Sequence, residues 1–122
     1  GVDAYGSVLK KYHETGVFDK TEIYPYVTEG IGEDMIPKNI DFDIIDGFTK
    51  VTDKDAAVFC RELLKKEGMF LGNSAGAAIK GVLQLEDQFN PDDLVVVLFH
   101  DHGSRYLKKI YNDDWMHEMG YM

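Results

Sequence analysis

Met69-Phe70-Leu71-Gly72-Asn73-Ser74-Ala75-Gly76 is the segment from which the architecture can be read outward. Three apolar residues predict a short strand, the glycines a tight turn, and the small residues that follow a helix running to about Leu85. Upstream, Thr52 followed by Asp55 resembles a capping box, with a short acid in place of the usual Glu. Ala56, Phe59, Cys60, Leu63 and Leu64 then fall at i, i+3, i+4, i+7 and i+8, one face of a helix. Lys65 and Lys66 complement its carbonyl end, and Gly68 supplies a left-handed stop. Downstream, an acidic loop from Glu86 to Asp93 leads into the apolar run Leu94 to Phe99, which has the length of a buried strand. Strand, helix and strand with a glycine-rich first turn form a βαβ unit, so the class is α/β.

The flanks are less regular. Gly1 to Asp3 reads as the tail of a strand entering Ala4-Tyr5-Gly6-Ser7, and Lys10 to Asp19 as a polar surface excursion. Thr21 to Pro37 mixes aromatic residues with the glycine pair in Glu29-Gly30-Ile31-Gly32. Phe42 to Val51 carries enough β-branched and aromatic residues for a strand, weakened by Gly47. The tail predicts short amphipathic helices at Tyr106 to Tyr111 and Asp114 to Met119, with Tyr106, Tyr111 and Trp115 covering a core or interface.

Composition narrows the function. The 122 residues hold 13 Lys+Arg against 22 Asp+Glu, a net charge of −9, and 44% of them are hydrophobic. That balance fits a single globular domain, residues 1–122, and argues against disorder. It also argues against nucleic acid, since phosphates need a basic face. No apolar run approaches the ~20 residues of a membrane span. Cys60 is the only cysteine, so a reducing, cytoplasmic setting is expected. The chain opens on Gly1 with no methionine before it, as expected of a cut.

Several constellations could carry chemistry. Gly72-Asn73-Ser74-Ala75-Gly76 matches the G-x-S-x-G nucleophile elbow, at the strand-to-helix turn that motif requires. A serine hydrolase would add Asp101 with His102 or His117, although adjacent side chains such as Asp101 and His102 tend to diverge. Alternatively, Ser74 caps a helix between glycines kept for close packing. In a third reading, Ser74 and a helix N-terminus form a polar ligand site in which serine makes one hydrogen bond and no covalent bond. The residues alone leave all three open. His100 and His102 would share a face on a strand, but spacing places no third ligand, so no metal site is assigned. His13 and His117 read as surface. Glu29, Glu33 and Asp34 read as solvated acids, and Gly30 and Gly32 as a backbone that must approach a ligand or a neighbouring strand.

Taken in order, Gly1-Val2-Asp3-Ala4-Tyr5-Gly6-Ser7, Glu29-Gly30-Ile31-Gly32, Ile36-Pro37, Glu67-Gly68, Gly72-Asn73-Ser74-Ala75-Gly76 and Asp113-Asp114-Trp115-Met116 resemble one family. It is the pyridoxal-phosphate-dependent cystathionine β-synthase and cysteine synthase family, and the likeness is to the C-terminal part of its catalytic core. The resemblance implies a three-layer sandwich with a mixed, mainly parallel sheet, and a homodimer as the full-length enzyme. It implies β-replacement on serine or an activated serine, with homocysteine giving cystathionine or sulfide giving cysteine. By resemblance, Ser74 hydrogen-bonds the cofactor's pyridine nitrogen, and Gly30 and Gly32 line the substrate side. Asp101 matches the acid of a Pro-Asp pair near the ring, with His100 where the proline stands. Glu33 stands where some relatives carry an aromatic residue. The Schiff-base lysine and phosphate loop lie upstream in the family, so the resemblance implies that this chain is inactive alone.

Overall fold

The computed structural model describes all of residues 1–122. Strand β1 (Val2–Ala4) is followed by helix α1 (Leu9–Thr15), and strand β2 (Thr49–Val51) by helix α2 (Asp53–Glu67). Helix α3 (Asn73–Leu83) and the short α4 (Asp113–Glu118) complete the regular elements. The class is therefore α/β, and β1 and β2 pair in parallel, Val2 opposite Thr49 and Ala4 opposite Val51. Parallel strands need a crossover connection. Here it runs through α1, so the βαβ unit lies nearer the N-terminus than the sequence suggests.

Local signals at α2 and α3 are obeyed. The Thr52 hydroxyl accepts from the Asp55 amide at 3.1 Å, the expected N-cap. The reciprocal half of the box differs: the short Asp55 carboxylate accepts from the Thr52 hydroxyl at 2.9 Å instead of from a backbone N–H. Gly68 closes α2 with φ +70°. The two helices pack through small residues, because a Cβ on Gly76 would collide with the Ala56 carbonyl and stand 2.6 Å from Cys60 Sγ. Val51, Ala56 and Ala77 form one buried cluster. Ala57, Cys60, Tyr106, Ile110 and Met116 form another, with Tyr111 and Trp115 against it, so the tail aromatics do cover a core.

Four expectations are corrected. The stretch from Lys10 onward is not irregular, because Leu9–Thr15 is helical and closed by Gly16 at φ +70°. Phe42–Ile44 is a 3-10 turn, and only Thr49–Val51 of the expected strand finds a partner. Met69–Leu71 is reduced to one antiparallel bridge, Leu71 to His102. Leu94 to Phe99 takes no regular structure, and Leu94, Val96 and Leu98 are 90%, 84% and 71% exposed. A strand forms only where another supplies its hydrogen bonds, and an apolar run alone does not provide them.

Candidate functional site

The bridge at Leu71 positions the site. The Gly72 amide donates to the Asp101 carbonyl at 2.9 Å and the Gly103 amide to Phe70 at 3.0 Å. The chain after the second apolar run is thereby laid beside the start of α3. Gly72 is the N-cap position, so Asn73 and Ser74 occupy the first turn. Ser74 is only 2% exposed, and its Oγ lies 3.3 Å from His100 Nδ1.

The glycine turn approaches from the opposite side. Gly30 and Gly32 adopt φ +89° and +73°, the left-handed region that disfavours a side chain. A Cβ on Gly30 would stand 3.3 Å from Ser74 Oγ. One on Gly32 would meet Tyr26 Oη at 2.8 Å and the Cβ atoms of Ala4 and Ser7 at 3.0 Å. Gly30 therefore belongs to the Ser74 site, whereas Gly32 lets the turn dock against the end of β1. Glu29, Glu33 and Asp34 are exposed, as expected.

The turn is held by groups that sequence patterning does not reveal. Both carboxylate oxygens of Asp53, the first residue of α2, accept from the backbone of Val27 and Thr28 at 2.8 Å. The Thr28 hydroxyl donates to the same carboxylate at 2.6 Å and accepts from Asn73 Nδ2 at 3.2 Å. The turn is thus tied to the N-termini of both helices. The partners stand 25 and 45 positions apart in the chain, so no local motif announces them.

A cavity of about 270 Å³ opens where these parts converge, bounded by Gly30, Ser74, His100, Asp101, Tyr106 and Lys109. Lys109 is tied to Glu29 at 2.9 Å at the exposed rim. Asp101 Oδ2 accepts from Tyr106 Oη at 2.9 Å, while its Oδ1 is buried with no partner. Desolvation first, and the Asp101 hydrogen bond second, push the Tyr106 phenol up to about 12, so it stays a donor. Beside the cavity, a groove of about 820 Å³ runs between the glycine turn and Val96–Leu98, with Glu33 on its wall.

Other sequence candidates separate. His102 turns to Ser104 Oγ at 3.0 Å, away from Asp101 and from His100's partner. His117 lies against the Met122 carbonyl. His13 is not a surface residue: it is half-buried among Phe42 and Phe48, with Nε2 2.8 Å from the Ile45 carbonyl. The elbow reading also fails on backbone geometry. A nucleophile elbow strains its serine, yet no residue other than glycine has positive φ, and Ser74 lies within regular helix. Ser74 does not cap α3 either, since Gly72 holds that position.

A family model described as pyridoxal-phosphate dependent enzyme matches residues 1–101. The chain is 35% identical over 122 residues to cystathionine beta-synthase of Oryctolagus cuniculus, covering 100% of this chain and 22% of that protein. It is 36% identical over 115 residues to the N-(2-amino-2-carboxyethyl)-L-glutamate synthase of Ralstonia nicotianae, covering 94% of this chain and 31% of that one. The crystal structure of an O-acetylserine dependent cystathionine beta-synthase from Helicobacter pylori matches with a TM-score of 0.72 and 35% identity, over 92% of this chain and 34% of that chain. The chain thus spans between about a fifth and a third of these relatives' lengths. From the match over most of its residues, the chain belongs to the pyridoxal-phosphate dependent enzymes.

Proposed function

We propose that this chain forms the pyridine-nitrogen side of the cofactor pocket, and one wall of the substrate pocket, in a β-replacement enzyme. That enzyme joins serine or an activated serine to homocysteine, giving cystathionine, or to sulfide, giving cysteine. The single observation that carries the reading is the Ser74 hydroxyl, held in the first turn of α3 beside the side-chain-free Gly30.

The residues present fit that end of pyridoxal phosphate. The cavity beside Ser74 offers a neutral hydroxyl that can donate and, at Gly30, a wall with no side chain. When bound, the cofactor supplies an electron sink for charge developing at the substrate's α-carbon. Ser74 would donate its hydrogen to the ring nitrogen. The positive end of the α3 dipole would oppose a positive charge there and so favour an unprotonated nitrogen. A neutral hydroxyl, unlike a carboxylate, does not enforce protonation. That moderates the sink and favours loss of the β-substituent over transamination. Gly30 keeps the wall facing Ser74 free of a side chain, Gly32 lines the adjoining groove on the substrate side, and Glu33 lies where the incoming nucleophile would pass.

The relatives' names bear on the choice of substrate. One is O-acetylserine dependent, which supports an activated serine, and two are cystathionine beta-synthases. Homocysteine is therefore taken as the first nucleophile and sulfide as the second. The test is Ser74→Asp in the full-length enzyme. β-Replacement should fall by about 10²-fold, the size of effect given by losing one preorganised electrostatic contact. An unchanged rate at normal cofactor occupancy would overturn the assignment.

A further inference from the structure

The reading above gives Ser74 a task that its hydroxyl cannot orient itself to perform. A hydroxyl rotates freely and carries one hydrogen, and that hydrogen must point at the ring nitrogen rather than elsewhere. The only hydrogen bond that Ser74 Oγ makes is with His100, at 3.3 Å from Nδ1. The resemblance places proline at that position, and proline offers no such group. Resting on the proposed cofactor site, we infer that His100 is a positioning residue for Ser74. Its Nδ1–H donates to Ser74 Oγ and thereby directs the serine hydrogen into the cavity.

Proton accounting fixes the direction of this relay. An unprotonated ring nitrogen has a lone pair and needs a donor, and Ser74 has one hydrogen to give. The serine oxygen then has lone pairs left, and His100 fills one of them only if Nδ1 carries a hydrogen. Neutral histidine can meet this in one of its two tautomers, and protonated histidine always meets it. His100 is exposed, so its Nε2 can exchange with solvent whichever form is present. Of the other cavity groups, Lys109 holds Glu29 and the Tyr106 hydroxyl donates to Asp101 Oδ2, while Arg105 lines the cavity. None of them bonds to Ser74 in place of His100. The relay therefore runs from His100 through Ser74 to the ring nitrogen, and no proton is consumed.

The test uses the full-length protein, with and without pyridoxal phosphate, and reads nitrogen-15 NMR of the His100 ring. In the loaded wild type, His100 should carry its hydrogen on Nδ1, and Ser74→Ala should return it to the Nε2–H form that a free histidine side chain favours. In parallel, His100→Leu should weaken cofactor binding by about threefold to tenfold, the effect of one hydrogen bond. His100→Asn, which keeps a side-chain N–H, should recover most of that loss. An Nε2–H tautomer in the loaded wild type, or His100→Leu binding cofactor as tightly as the wild type, would overturn the relay. If Ser74→Ala changes cofactor affinity and absorbance while His100→Leu changes neither, the relay alone fails. If Ser74→Ala also changes neither, the cofactor-site reading fails with it.

Discussion

The Cys60 thiol lies inside the α2–α3 contact and donates to the Gly72 carbonyl at 3.1 Å. Burial pushes its pKa up to about 11, from an ordinary value of 9.0. Iodoacetamide at pH 8 should therefore leave Cys60 intact in the folded chain and label it in denaturant, since the thiolate is the nucleophile. Labelling of folded protein at the denatured rate would mean that the contact opens. The folded value lies above the unfolded one, so stability from this group is complete below the unfolded pKa. It is lost as pH rises through about 11. At this scale the sequence is unevenly legible. Ser74 and Gly30 can be found because strand, turn and helix chemistry converge on them. His100 cannot, because its partner lies 26 positions away and no local pattern links the two.

Elements were legible where capping chemistry is explicit. Thr52 and Gly68 bound α2 as the residues predict, and α3 begins at the expected turn. Helix α1 escaped because Leu9 is its only buried residue, which leaves no apolar period to detect. Phe42 to Val51 failed in the opposite sense, since β-propensity extends over more residues than the three-residue β1 can pair. The closeness of α2 and α3 rests on Gly76. Replacing it with Ala should destabilise the fold by about 1–3 kcal/mol, towards the upper end because the obstacle is backbone. Thermal unfolding would measure this, and a melting temperature equal to wild type would show that the helices can move apart without penalty.

For the molecule as a whole, the α/β class was legible and the extent of the sheet was not. Leu94 to Phe99 has strand composition, yet it pairs with no other strand. No helix is long and apolar enough to cross a membrane. No lysine is buried, whereas a lysine that condenses with a carbonyl is activated by desolvation or a neighbouring cation. Borohydride reduction with pyridoxal phosphate should therefore give no stoichiometric adduct on this chain, while the full-length protein should trap one at a lysine outside residues 1–122. Peptide mass spectrometry reads both, and a single stoichiometric adduct on Lys109 would place the reacting lysine here instead. The Asp53 tie also bears on how the pocket can change over evolution. It grips Val27 and Thr28 mainly through their backbone amides, so the gap between Gly30 and Ser74 is set independently of the exposed side chains at Glu29 and Glu33. Those two positions can change while the approach of Gly30 to Ser74 is kept, so the rim and the buried contact can evolve separately within one loop.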